Sequence, residues 1–138
     1  DLTMFISGTG RQIGIFPFDK AMNDNRFEVM YRTGESMRGV KSPLGDPLVV
    51  TTASEAWVSK QDKKDVDKKG FVMPSKDPNR KEIFFVAAMD KDGNNYLYIY
   101  DIVRKGKRVT LKESEALKDS KSHQSILLNE FWKGYMGL

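Results

Sequence analysis

Apolar positions recur along this chain with two periods, and the switches between them mark out its elements. Thr3 to Ser7 and Gln12 to Phe18 are short β-prone runs separated by Gly8-Thr9-Gly10, which predicts a hairpin. From Met22 the spacing lengthens. Met22, Phe27, Met30, Tyr31, Gly34 and Met37 fall near one face at a period of about 3.6 residues, so a helix over roughly 20–38 is expected, capped by Asp19. Asn23 to Asn25 weakens it, and Gly34 costs up to ~1 kcal/mol relative to Ala. Gly39 to Pro47 holds two glycines and two prolines and reads as a connection.

Leu48 to Val58, rich in Val and Thr and containing Trp57, reads as a strand. Its rival is a helix opened by the Thr52-x-x-Glu55 capping box, whose continuation from Gln61 to Lys69 offers Val66 alone as an apolar anchor. Residues 59–81 form a polar excursion with Pro74 and Pro78, long enough to suggest a functional loop.

The strongest pattern is a three-stranded antiparallel meander from Glu82 to Lys112: Ile83 to Met89, Tyr96 to Val103, and Val109 to Leu111. Two-residue turns at Asp92-Gly93 and Lys105-Gly106 would join these runs. Centred there, they pair Met89 with Tyr96, Phe85 with Tyr100 and Ile102 with Val109. Tyr96, Tyr98 and Tyr100 then share a core face with Ile83, Phe85, Val109 and Leu111. The opposite face carries an apolar zone (Phe84, Val86, Ala88, Leu97, Ile99) that needs a cover, and a polar zone (Asp101, Arg108, Thr110, Lys112). The cover is a partner subunit or a C-terminal helix opened by Ser120 or Ser122 and bearing Leu127, Leu128, Phe131, Trp132, Tyr135 and Met136 at helical spacing. The expectation is one α+β domain over 1–138, with an antiparallel sheet of about four strands and one or two flanking helices.

Composition narrows the chemistry. The 138 residues include no cysteine, which excludes disulfides, thiolate catalysis and cysteine-based zinc sites. One histidine excludes a histidine pair within the chain. No apolar run approaches the ~20 residues that span a bilayer, no basic segment followed by an apolar stretch precedes the first strand, and a cytoplasmic protein without a membrane partner is expected.

Charge is unevenly placed. Eight of the 23 basic residues and four of the 19 acidic ones lie between Lys60 and Lys81, leaving 15 of each sign elsewhere, so the net +4 belongs to the excursion. Its basic residues include Lys60, Lys63, Lys64, Lys68, Lys69 and Arg80. Such a loop steers phosphate, whereas its four aspartates repel it, and a merely solvated loop is the plain alternative.

Other motifs carry less. The tyrosine ladder could stack bases, but the register above assigns it to the core and leaves Arg108 and Lys112, on the other face, to meet a nucleic-acid backbone. Asp90 to Asn95 lacks the glycine and glutamate positions of an EF-hand and reads as a turn. Gly8-Thr9-Gly10 with Gly14 lacks dinucleotide spacing. His123 among Ser120, Ser122 and Ser125 reads as a surface or capping residue, since sequence neighbours rarely build a catalytic dyad. Carboxylate–lysine combinations such as Asp62-x-Lys64 sit on a loop rather than on the rigid strands of a metal-dependent nuclease. Glu55, beside Trp57, is expected to be buried and paired, with Arg80 as its partner.

Ser54-Glu55-Ala56-Trp57, followed by Pro74 to Glu82 and an apolar strand, resembles stretches of uncharacterised phage and mobile-element proteins. The resemblance covers at most the middle third of the chain. It implies a viral or mobile-element origin and no activity. The function expected is that of a non-enzymatic binding protein, a phage accessory factor without a cofactor. Its basic loop, with Arg108 and Lys112, would engage nucleic acid or an acidic protein. The alternative is a structural protein or homo-oligomer, with the apolar sheet face and C-terminal helix as interfaces.

Overall fold

The computed structural model describes residues 2–118 and 125–138. In chain order the elements are β1 (Leu2–Gly8), β2 (Gly14–Pro17), α1 (Lys20–Asp24), α2 (Arg26–Met37), β3 (Pro47–Val58), α3 (Lys63–Lys69), a 3-10 turn (Pro74–Lys76), β4 (Lys81–Asp90), β5 (Asn95–Lys105), β6 (Arg108–Lys118) and α4 (Ile126–Met136). The strands form one antiparallel sheet in the order β2-β1-β3-β4-β5-β6. The α+β class holds. The expected count does not: six strands and four helices are present among the described residues.

Each addition has a local cause. The N-terminal hairpin joins the main sheet through β1, which pairs with β3 from Leu2↔Ser54 to Gly8↔Pro47. The helix expected over 20–38 is two helices that break at Asn25, although Asp19 caps the first as anticipated by accepting from the Met22 N–H at 2.8 Å. Helix α3 forms despite its lone apolar anchor. Asp62 caps it from the Lys64 N–H at 3.0 Å, while Asp65 in its first turn and Lys68 and Lys69 in its last complement the helix dipole.

Register decides which face is core. Asp90 N–H donates to the Asn94 carbonyl at 3.0 Å and Gly93, at φ +86°, turns the chain, closing a three-residue loop over Lys91 to Gly93. The Asp90 carboxylate locks this loop, accepting from the N–H groups of Asp92 and Asn94 and from the Asn94 amide. Met89 therefore pairs with Asn95, not Tyr96, and Phe84 pairs with Tyr100. This one-residue slip turns β5 over relative to the expected pairing with β4. The second turn sits at Gly106-Lys107 rather than Lys105-Gly106, which shifts the pairing by two and preserves the face.

The core lies on the face of Met4, Ile6, Val50 and Met89, under Met30 of α2 and Leu128, Phe131 and Trp132 of α4. Each such large side chain contributes roughly 1.5–3 kcal/mol through its burial. The Trp132 indole N–H donates to the Met89 carbonyl at 3.1 Å, fixing α4 over β4. The C-terminal helix thus covers the sheet, but on the face of Ala87 and Met89; Phe84, Val86 and Ala88, the β4 residues expected beneath it, lie on the opposite face. Its cap is Ser125, which accepts from the Leu128 N–H at 3.2 Å; Ser120, Ser122 and His123 lie outside the described residues.

Helices α2 and α4 meet backbone to backbone. A Cβ on Gly34 would strike the carbonyl of Phe131, and one on Gly134 would strike the carbonyl of Tyr31. Glycine is required at both positions by this reciprocal approach.

Candidate functional site

The helices that contact the strands of the sheet pack on its core face. Its other face carries Phe5, Thr51 and Ala53 near β1 and β3, then Trp57, then Phe84, Val86 and Ala88 of β4. Beyond them stand Tyr96, Tyr98 and Tyr100 of β5, with Val109 and Leu111 on β6. The tyrosines are half-buried by their neighbours in the sheet, and Trp57, Val109 and Leu111 are exposed. The tyrosine ladder therefore belongs to an aromatic surface, not to the core. Ile83 and Phe85, expected beside it, point to the helix side. Successive tyrosines at i and i+2 stand about 6.8 Å apart along the strand, and the Phe84 and Tyr100 rings are 6.4 Å apart across it.

One end of this surface is bounded by cations. The Arg80 guanidinium stacks over Trp57 at 4.5 Å from the ring centroid, and Arg104 grips Glu82 with two hydrogen bonds of 2.8 and 2.7 Å. The hydrogen bond to Arg104 holds the Glu82 carboxyl below the usual carboxylate range. Glu55 is exposed on the same face and Arg80 stacks on Trp57, which corrects the expected buried Glu55–Arg80 pair.

The excursion leaves from this same end, between Val58 and Lys81, and is built rather than loose. Gln61 bonds both the carbonyl and the N–H of Val72, at 2.6 and 3.0 Å. Ser59 donates to the buried Asp77 carboxylate, which also accepts from the Asn79 N–H at 2.9 Å. Two of the four aspartates, Asp62 and Asp77, are thus turned onto the excursion's own backbone and hydroxyl groups. Lys60, Lys63, Lys64, Lys68 and Lys69 are exposed, and none of them appears in an ion pair among the described residues.

The predicted site residues fall into two groups. The lysines of 60–69 and Arg80 share the β3–β4 connection at one end of the sheet. Arg108, opposite Lys105 near the β5–β6 turn, is at that end too, but with Lys112, opposite Asp101, it faces the helix side. Lys112 therefore does not border the aromatic surface. The tyrosines themselves are what the sequence reading set aside.

Two hydrogen-bonded carboxylates, Asp77 in the excursion and the partly buried Asp90 at the opposite end of β4, give the fold a pH dependence. The bonds from Ser59 and then Asn79 hold Asp77 below the usual range. At Asp90 burial pushes upward, and the hydrogen bonds from Asn94, Asp92 and Gly93 outweigh it. A depressed folded value means that the unfolded chain takes up protons first as the pH falls. Stability is then full at neutral pH and is lost progressively below about pH 4. Melting temperatures measured from pH 7 to pH 2 should fall along this limb, and Asp77→Asn should lower the neutral plateau and flatten the limb. An unchanged acid limb in that variant would remove Asp77 from the account.

Among the described residues no three His, Cys, Asp or Glu side chains gather in a metal-holding group. No family model matches this chain, and neither does any curated protein or solved structure.

Proposed function

We propose that this protein is a non-enzymatic binding protein for single-stranded nucleic acid, with the bases on the aromatic sheet face and the phosphates toward the basic end. The observation that carries this reading is the Tyr96-Tyr98-Tyr100 ladder on the face opposite the helix-packed core. Every base has a π-face, so a row of rings binds unpaired bases without reading sequence. A duplex keeps its bases stacked on each other and offers the ladder little. Glu55 and Glu113 would repel phosphate, so the backbone runs outside them, toward Arg80 and the lysines of the excursion. An origin in a phage or mobile element, suggested by the 54–57 and 74–82 stretches, suits such an accessory role.

Fluorescence polarisation with a labelled single strand and its duplex tests the proposal. Tighter binding of the single strand at low salt is expected, and absence of binding or preference for duplex would overturn it. Alanine at Lys63, Lys64, Lys68 and Lys69 should flatten the salt dependence of log K by up to about 3, because each phosphate contact on a single strand contributes about 0.7.

The second reading is a homo-oligomer that buries the same face. The exposed Ile15, Val109 and Leu111, which extend the apolar surface toward both edges, favour it. Light scattering separates the two: a monomer that binds oligonucleotide counts against assembly.

A further inference from the structure

The excursion carries three consecutive apolar side chains turned to solvent: Phe71 at 66% exposure, Val72 at 42% and Met73 at 57%. Exposed apolar residues are common singly; a contiguous triplet is not. It is also held in place. The two bonds from Gln61 to the Val72 backbone fix the middle of the triplet, and Gly70, at φ +82°, turns the chain out of α3 directly before it. Lys63, Lys64, Lys68 and Lys69 of α3 precede the tip and Lys76 follows it. Asp62 and Asp77 are engaged internally, leaving Asp65 and Asp67 as the acids set against these lysines.

We propose that Phe71, Val72 and Met73 insert into the interface of an anionic phospholipid bilayer while the α3 lysines contact its headgroups. The pairing of apolar tip with cationic collar favours this occupant. An anionic surface satisfies the lysines, and an acyl layer yields around exposed apolar side chains without a groove having to match them. A nucleic-acid strand would satisfy only the lysines, since Val72 and Met73 have no ring on which a base could stack. No helix among the described residues is long and apolar enough to cross a membrane, and this attachment needs none.

Sedimentation with phosphatidylserine–phosphatidylcholine vesicles, against pure phosphatidylcholine, tests the proposal. The protein should pellet with the anionic vesicles and be released by salt. Phe71→Ser with Met73→Ser should reduce partitioning about tenfold or more, and each Lys→Gln on α3 about fivefold. These side chains are exposed, so the variants keep their fold, which circular dichroism checks. Phe71→Trp adds a positive readout: its emission should shift to the blue with anionic vesicles beyond any change in the parent. The proposal goes beyond the nucleic-acid reading and stands or falls separately from it. A variant with Tyr98 and Tyr100 changed to Ala should still pellet. No partitioning, partitioning equal on neutral vesicles, or an apolar-tip variant that pellets like the parent would each overturn it.

Discussion

Replacing Tyr98 and Tyr100 together with alanine is expected to weaken single-strand binding by about a hundredfold. Stacking on an aromatic side chain contributes about 1–3 kcal/mol per base, and two of the ladder's three rungs would be lost. Stability should fall far less, because these side chains stand half-buried on the face opposite the helix-packed core and the strand itself remains paired on both sides. Phenylalanine at both positions keeps the rings and should keep most of the affinity, which polarisation would measure beside the alanine pair. If phenylalanine costs as much as alanine, the hydroxyls rather than the rings bind. If the alanine pair binds like the parent, the open face is not the site.

The largest effect on folding is expected at the α2–α4 crossing. Exchanging glycine for alanine within a helix ordinarily stabilises it by up to ~1 kcal/mol. Here the sign should reverse. A methyl on Gly34 would strike the Phe131 carbonyl and lie 3.0 Å from the Tyr135 nitrogen; one on Gly134 would strike the Tyr31 carbonyl and lie 3.0 Å from the Glu35 nitrogen. Backbone cannot turn aside as a side chain can, so the helices must part, loosening Met30 and Phe131 beneath them. A loss of about 3 kcal/mol is expected for either change, corresponding to a fall in Tm of about 10 °C. Thermal melts of Gly34→Ala and Gly134→Ala check this, and a melting temperature at or above the parent's would mean the crossing is not so close.

Most strands were legible in the sequence because their apolar runs are bounded by glycine, proline and asparagine. The site was not, and the reason is parity. Phe84 and Phe85 are adjacent and both faces of β4 are apolar, so alternation could not say which face meets the tyrosines. The answer rested on one turn. Asp92-Gly93 suggests a two-residue connection, yet the Asp90 carboxylate, bonded to Asn94 and Asp92, stabilises a three-residue one. An odd loop in place of an even one moved three tyrosines from the core to the surface. The second hairpin, also misplaced by a residue, kept its two-residue length and therefore its faces. The excursion's cationic character was plain from composition, but its helix rests on a cap and on end charges that hydrophobic periodicity does not register. Arg80's stacking on Trp57 joins residues across that excursion, and no local pattern encodes it.

Val58 and Lys81 face each other as the last pair of the β3–β4 ladder. The chain thus departs from the sheet and returns to it at a single point, and the closure entropy of what lies between grows only slowly with its length. The segment is in effect a cartridge. Lengthening it, shortening it or exchanging it for a tight turn should leave every strand beside its neighbour, so this end of the molecule can change without disturbing how the rest folds. A chain with a short turn between Val58 and Lys81 should therefore retain the sheet and its tyrosines while losing whatever the lysines and the apolar tip contribute.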